Sequence, residues 1–70
     1  MPLITIRLVA GRSDAELADL VSAVSSAAAA SLDVPIDRIG VHLFEMPPTR
    51  VGRGGRLLRD PDSGQGRDGS

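Results

Sequence analysis

No cysteine occurs among the seventy residues, which excludes disulfides and thiolate metal sites. One histidine, His42, is too few for a histidine-built metal cluster within a single chain. Lysine is absent too, and all eight basic residues are arginine. Biased genomic base composition accounts for such a preference, and the guanidinium fork also suits carboxylates. Phe44 is the single aromatic, so no stacking platform for single-stranded nucleic acid is present. A formal net charge of −1 provides no polybasic field for nucleic acid or a membrane surface. No apolar run is expected to reach the length of a membrane span. The beginning of the chain lacks the basic start and apolar core of a signal peptide, so the expected compartment is the cytoplasm.

What is present is a short and rather apolar chain. Seventy residues make one domain at most. So short a chain buries a modest share of its surface and is marginally stable alone. Small scaffolds add disulfides, metal or partner chains. With the first two excluded, self-association remains. The apolar fraction of 41% points the same way, because it exceeds what so small an interior can hide.

The order of residues predicts a strand, a helix and a second strand. Leu3 to Val9 is short and rich in β-branched residues, which favours a strand. Ile4, Ile6 and Leu8 share one face of it; Leu3, Thr5, Arg7 and Val9 share the other. Both faces are largely apolar, which predicts cover on both sides. Ser13-Asp14-Ala15-Glu16 is a capping box. Leu17, Leu20, Val21, Val24, Ala28 and Leu32 follow at helical spacing, so a helix is expected over about 13–32. Asp33 and Pro35 mark its end. Ile39 to Met46 alternates like a strand. The fold class is therefore α/β (α+β), a short β-α-β unit with parallel strands. Pro47-Pro48 then breaks the chain, and the Gly-rich stretch from Val51 to Leu58 predicts a hairpin or extended arm. The domain is expected over 1–58, followed by a polar, disordered tail over 59–70. A two-stranded sheet under one helix has open edges and an uncovered face, so copies or relatives of the chain must complete it.

Two residues carry candidate chemistry. Pro2 stands directly before the first strand. Alone, it reads as a strand opener. If Met1 is removed, Pro2 becomes a secondary amine. An α-amino group titrates at roughly 7.7–8.0, and a secondary amine starts higher. Burial and nearby guanidinium charge both lower that value, toward what a proton shuttle needs. Arg12 lies between the strand end and the helix start, where a helix N-terminus already favours anions.

Met1-Pro2-Leu3-Ile4, Gly11-Arg12-Ser13 with Glu16, Asp33-Val34-Pro35, Glu45-Met46 and Gly54-Gly55 occur in one order and spacing. In these motifs the chain resembles the small tautomerases of the 4-oxalocrotonate tautomerase (2-hydroxymuconate tautomerase) family. The resemblance covers about 1–58 without a gap. It implies β-α-β protomers that pair into a four-stranded sheet, with three pairs in a hexamer. It implies that Pro2 acts as general base and acid on a dienol, and that Arg12 binds a substrate carboxylate. It implies no metal and no organic cofactor.

Two family positions differ. Gly40 stands where the resemblance implies a second arginine, and Val51 where it implies a phenylalanine of the arm. Arg38, Arg50 and Arg53 are the candidate replacements for the missing cation. Arg38 would share a face with Gly40 if the second strand reached back that far; Arg50 and Arg53 flank Val51. A second, unlike chain is the other possible source. Glycine at position 40 is expected to leave room in the site. The expected reaction is keto–enol isomerisation of a 2-hydroxydienoate or other 2-oxo acid enol, in a homohexamer or a heterohexamer with a related chain. The alternatives are a low-activity subunit completed by a second chain, and a hydratase- or dehalogenase-like enzyme using protonated Pro2.

Overall fold

The computed structural model describes residues 1–59. Strand β1 (Leu3–Val9) leads through a short loop to helix α1 (Asp14–Leu32). A 3-10 turn (Ile36–Arg38) then enters strand β2 (Gly40–Met46). A second 3-10 turn (Pro48–Arg50) leads to the short strands β3 (Gly52–Arg53) and β4 (Arg56–Leu57). β1 and β2 pair in parallel, with Leu3 opposite Gly40 and Val9 opposite Met46. β3 and β4 form a separate antiparallel hairpin.

The local signals act as their chemistry dictates. Ser13 caps α1: its hydroxyl accepts from the Glu16 N–H at 3.1 Å, and its own N–H donates to Glu16 Oε1 at 2.9 Å. At the other end Asp33 adopts a left-handed conformation, φ 56°, and its N–H donates to the Ala29 carbonyl. Pro35 follows and prevents continuation of the helix. In the hairpin, Gly54 and Gly55 carry φ values of 63° and 83°. Two positive φ values in a two-residue connection define the turn that matches strand twist, and glycine adopts them without strain.

The sheet has two unlike faces. Ile4, Ile6 and Leu8 of β1 and Val41 and Leu43 of β2 are half-buried beneath α1. Leu17, Leu20, Val21, Val24 and Ala28 are the matching stripe on the helix. The other face carries Leu3, Thr5, Arg7, His42 and Phe44, all exposed. There the Arg7 guanidinium lies 5.8 Å from the centre of the Phe44 ring. The cover expected on both faces is thus present on one. Among the described residues no hydrophobic side chain is fully buried, and Ser25 of α1, 8% exposed, is the single buried residue.

Three further expectations are corrected. Leu32 is 54% exposed rather than part of the covered stripe. The helix is about 28 Å long at 1.5 Å per residue, whereas β1 spans about 23 Å, so the last turn overshoots the sheet. Helix α1 is also long and apolar enough to cross a membrane by length and composition, an exception to the expected lack of any such run. The alanine run 27–30 raises its average apolarity, while its stripe is already half-covered by the sheet. Arg59, expected in a structureless tail, donates its backbone N–H to the Pro48 carbonyl at 3.2 Å. The rest of that expected tail, 60–70, lies outside the described residues.

Candidate functional site

The Pro2 ring is half-buried at the head of β1. Its carbonyl accepts the Gly40 N–H at 2.9 Å, which ties the start of β1 to the start of β2. This bond fixes where the proline nitrogen lies. Met1 precedes it, 87% exposed, so a cleavage there would meet little steric resistance.

Arg12 stands at the far end of β1. It lies at the mouth of an open groove of about 680 Å³ between β1 and α1. Ile6, Leu8, Leu17 and Leu20 line the apolar walls, with Glu16 beside Arg12. The Arg12 side chain is 65% exposed, and its Nη1 is 3.8 Å from Glu16 Oε2. That separation is a loose, solvent-screened pair that contributes little. Glu16 is held more firmly by the helix start. The Ser13 backbone N–H keeps its carboxyl below the ordinary value, against a slight loss of solvation, with help from Arg12 and the Ser13 hydroxyl. The anion-favouring N-terminus of α1 is therefore already served by its own Ser13 and Glu16. A bound carboxylate at this end must be held by the Arg12 guanidinium, in competition with Glu16.

Pro2 and Arg12 do not meet within one chain. Seven strand residues separate them, about 23 Å at 3.3 Å each. The remaining candidates are also dispersed. Arg38 closes the 3-10 turn before β2, which starts only at Gly40, so the condition for a shared strand face is not met. Arg50 is exposed and its Nη1 donates to the Thr49 carbonyl at 3.1 Å. Val51 is half-buried at the base of the hairpin, where its carbonyl accepts the Leu58 N–H at 2.8 Å. Arg53 lies in β3, directly opposite Arg56 of β4. Arg56 was not among the residues singled out in the sequence. The order Arg-Gly-Gly-Arg holds the signal, since a two-residue glycine turn sets its flanking residues face to face.

Gly40 does not leave the expected space. A Cβ there would sit 3.1 Å from Leu3 Cδ1, so the Leu3 side chain fills the gap. His42 is exposed on the same sheet face. Among the described residues no group of three or more His, Asp or Glu side chains is placed to hold a metal ion.

A parallel β-α-β unit with a proline-led first strand, an arginine at that strand's far end and a glycine-turned hairpin defines the class of small tautomerases. The sequence agrees: the model of the tautomerase enzyme family matches residues 2–60. The chain belongs to the tautomerase family, whose members are isomerases. It is 42% identical over 55 residues to a 2-hydroxymuconate tautomerase of Pseudomonas putida, covering 79% of this chain and 87% of that one. It is 38% identical over 63 residues to a probable tautomerase of Lactiplantibacillus plantarum, covering 90% and 98%. Among solved structures, a heterohexamer 4-oxalocrotonate tautomerase from Chloroflexus aurantiacus superposes with a TM-score of 0.82 at 38% identity, covering 87% of this chain and 98% of that one.

Proposed function

We propose that this tautomerase moves a proton in a 2-hydroxydienoate or related 2-oxo acid enol without a cofactor. Pro2, freed by loss of Met1, takes the proton from the enol oxygen and returns it to carbon. Arg12 holds the substrate carboxylate. The observation that supports this most directly is the anchored start of β1, which holds the Pro2 ring half-buried beside Gly40. A fixed, partly desolvated amine is the kind of group that proton transfer uses.

The distance between Pro2 and Arg12 favours a site shared between chains. A two-fold neighbour running antiparallel along β1 would bring its Pro2 to this chain's Arg12. The open sheet edges and the exposed apolar face carrying Leu3 and Phe44 favour such packing, with a hexamer of three pairs as the complete assembly.

The experiment is ketonisation of 2-hydroxymuconate by tag-free protein, followed by ultraviolet absorbance, with intact mass to verify loss of Met1. Turnover that Pro2→Ala abolishes would support the reading. A folded assembly with Met1 gone and no turnover above buffer would reject it for this substrate. A second reading rests on Gly40 and Val51, and on the similarity to a heterohexameric relative. In it, the chain is a subunit completed by an unlike chain. Native mass separates the two, since the main reading needs a hexamer from this chain alone. The hydratase- or dehalogenase-like alternative gains no water-activating carboxylate beside Pro2 from the described contacts.

A further inference from the structure

Three groups converge on Gly40 at the head of β1. Gly40 lies opposite Leu3 in the parallel pair. A side chain at position 40 would leave the backbone toward all three. From the place of its Cβ, Leu3 Cδ1 is 3.1 Å away, the Pro2 carbonyl oxygen 3.7 Å and Met1 Sδ 3.9 Å. A Cβ so close to Leu3 Cδ1 would displace that methyl by a few tenths of an ångström. Gly40 therefore lets the Leu3 side chain lie across the start of β2, beside the residue that carries the amine.

Each of the three is apolar or already engaged. Leu3 presents a methyl and Met1 a thioether, while the Pro2 carbonyl accepts the Gly40 N–H at 2.9 Å. The cation nearest in sequence, Arg38, ends the preceding 3-10 turn and is exposed. Met1 touches this spot with its sulfur and is otherwise open to solvent. Its cleavage thus does two things at once. It frees the Pro2 nitrogen, and it vacates the place beside Leu3 that the thioether held. A group entering that place meets hydrocarbon. An apolar group gains there, whereas a carboxylate loses solvation without finding a partner.

We infer that Leu3 is a specificity-determining residue, with Gly40 the positioning residue that lays it beside Pro2, and that the preferred substrate is a monocarboxylate enol with a hydrocarbon end. Arg12 holds its one carboxylate, the reacting carbons lie at Pro2, and the uncharged end takes the place vacated by Met1. This substrate class rests on the function proposed above; the apolar seat itself rests on the contacts around Gly40. A dicarboxylate such as 2-hydroxymuconate is still turned over, at a higher KM.

The test uses the full chain with Met1 removed and two dienoate probes. Sorbate ends in a methyl, and trans,trans-muconate ends in a second carboxylate. Affinities are read by NMR titration with the Leu3 methyl signals observed. The wild type is expected to prefer sorbate by about ten-fold or more, with the Leu3 methyls shifting. Leu3→Ala is expected to remove most of that preference, and Leu3→Met to keep it. Gly40→Ala is expected to weaken it by pushing the Leu3 methyl aside, with circular dichroism and native mass unchanged. A wild type that binds muconate as well as sorbate overturns the inference. So do Leu3 methyl signals that stay in place, and a preference that survives Leu3→Ala. A native mass that falls in a folded Leu3→Ala assigns Leu3 to a contact between copies, and overturns it too. If Leu3→Ala does not fold, Gly40→Ala and the methyl shifts decide. A sorbate preference carried by Leu3, in a protein with no tautomerase turnover, sustains the seat while the proposed function fails. A lower KM for 2-hydroxymuconate than for 2-hydroxyhexa-2,4-dienoate, its methyl-ended counterpart, leaves that function standing and overturns the inference.

Discussion

Residues 1–46 hold Arg7, Arg12 and Arg38 among six acidic residues, while residues 47–59 hold Arg50, Arg53, Arg56 and Arg59 and no acid. The first region makes surfaces. Its charges cap a helix, as Glu16 does, or lie over a ring, as Arg7 does. The second region makes almost no core. Its backbone is a two-glycine turn packed on the preceding 3-10 turn, and its side chains are mainly cations and leucines. One region sets where the strand-borne proline stands; the other gathers exposed positive charge on a short hairpin. Residues 1–46 hold the paired strands and the helix, residues 47–59 a cation-rich hairpin, and substitutions in the two regions are expected to report on different parts of the molecule.

The sharpest way to break this division is Pro2→Ala. General acid–base groups contribute about 10²–10⁴-fold. A loss of that size in kcat for 2-hydroxymuconate, with an unchanged fold by circular dichroism, is expected; a loss below ten-fold would remove Pro2 from the chemistry. Arg12→Ala comes next. A charge-assisted hydrogen bond contributes about 1.5–3 kcal/mol, so kcat/KM should fall by about 10- to 150-fold. Thermal stability should hardly change, because the side chain is exposed and its pair with Glu16 is loose.

Gly54→Ala/Gly55→Ala sharpens the comparison from the other side. Left-handed backbone costs a residue with a Cβ about 1–2 kcal/mol. The hairpin signals of Arg53 and Arg56 should broaden or shift in NMR spectra, while those of α1 stay in place. Loss of helix signals as well would mean that the two regions fold as one unit. Ser13→Ala does the converse. Removal of a helix N-cap costs about 1 kcal/mol, visible in denaturant midpoints and absent from the hairpin resonances.

The smallest effect is the pH dependence of that cap. The Glu16 carboxyl is held below its ordinary value in the folded chain, first by the Ser13 N–H. Its stabilisation is therefore present above the unfolded-state value and lost as pH falls through the lowered folded one. Stability curves of wild type and Glu16→Gln should converge below the usual carboxylate range and separate slightly above it. Separation that grows toward acid would reverse the assignment.

The elements themselves were legible in the sequence because each rests on local periodicity. Alternation marks β1 and β2, the capping box marks α1, and paired glycines mark the hairpin. The boundaries were less so. The 3-10 turn at Ile36–Arg38 follows from Pro35, whose carbonyl accepts the Arg38 N–H at 3.0 Å, and it moves the start of β2 to Gly40. That one displacement takes Arg38 off the strand. Leu32 fits the helical stripe by spacing, yet it lies past the end of the sheet, a mismatch of lengths that periodicity does not encode. Of the candidate site, Pro2 and Arg12 could be picked out by motif, but not their separation by a whole strand.

One feature of the β-α-β unit reaches beyond any single site. No described hydrophobic side chain is fully enclosed within the chain. In the assembly proposed above, folding and association are one equilibrium, and mass action governs both. Its melting temperature should climb with protein concentration. Specific activity should fall on dilution, so that total activity drops more steeply than the protein concentration. A cell making half as much of the chain would then hold less than half as much working enzyme, so the level of expression becomes part of the catalyst.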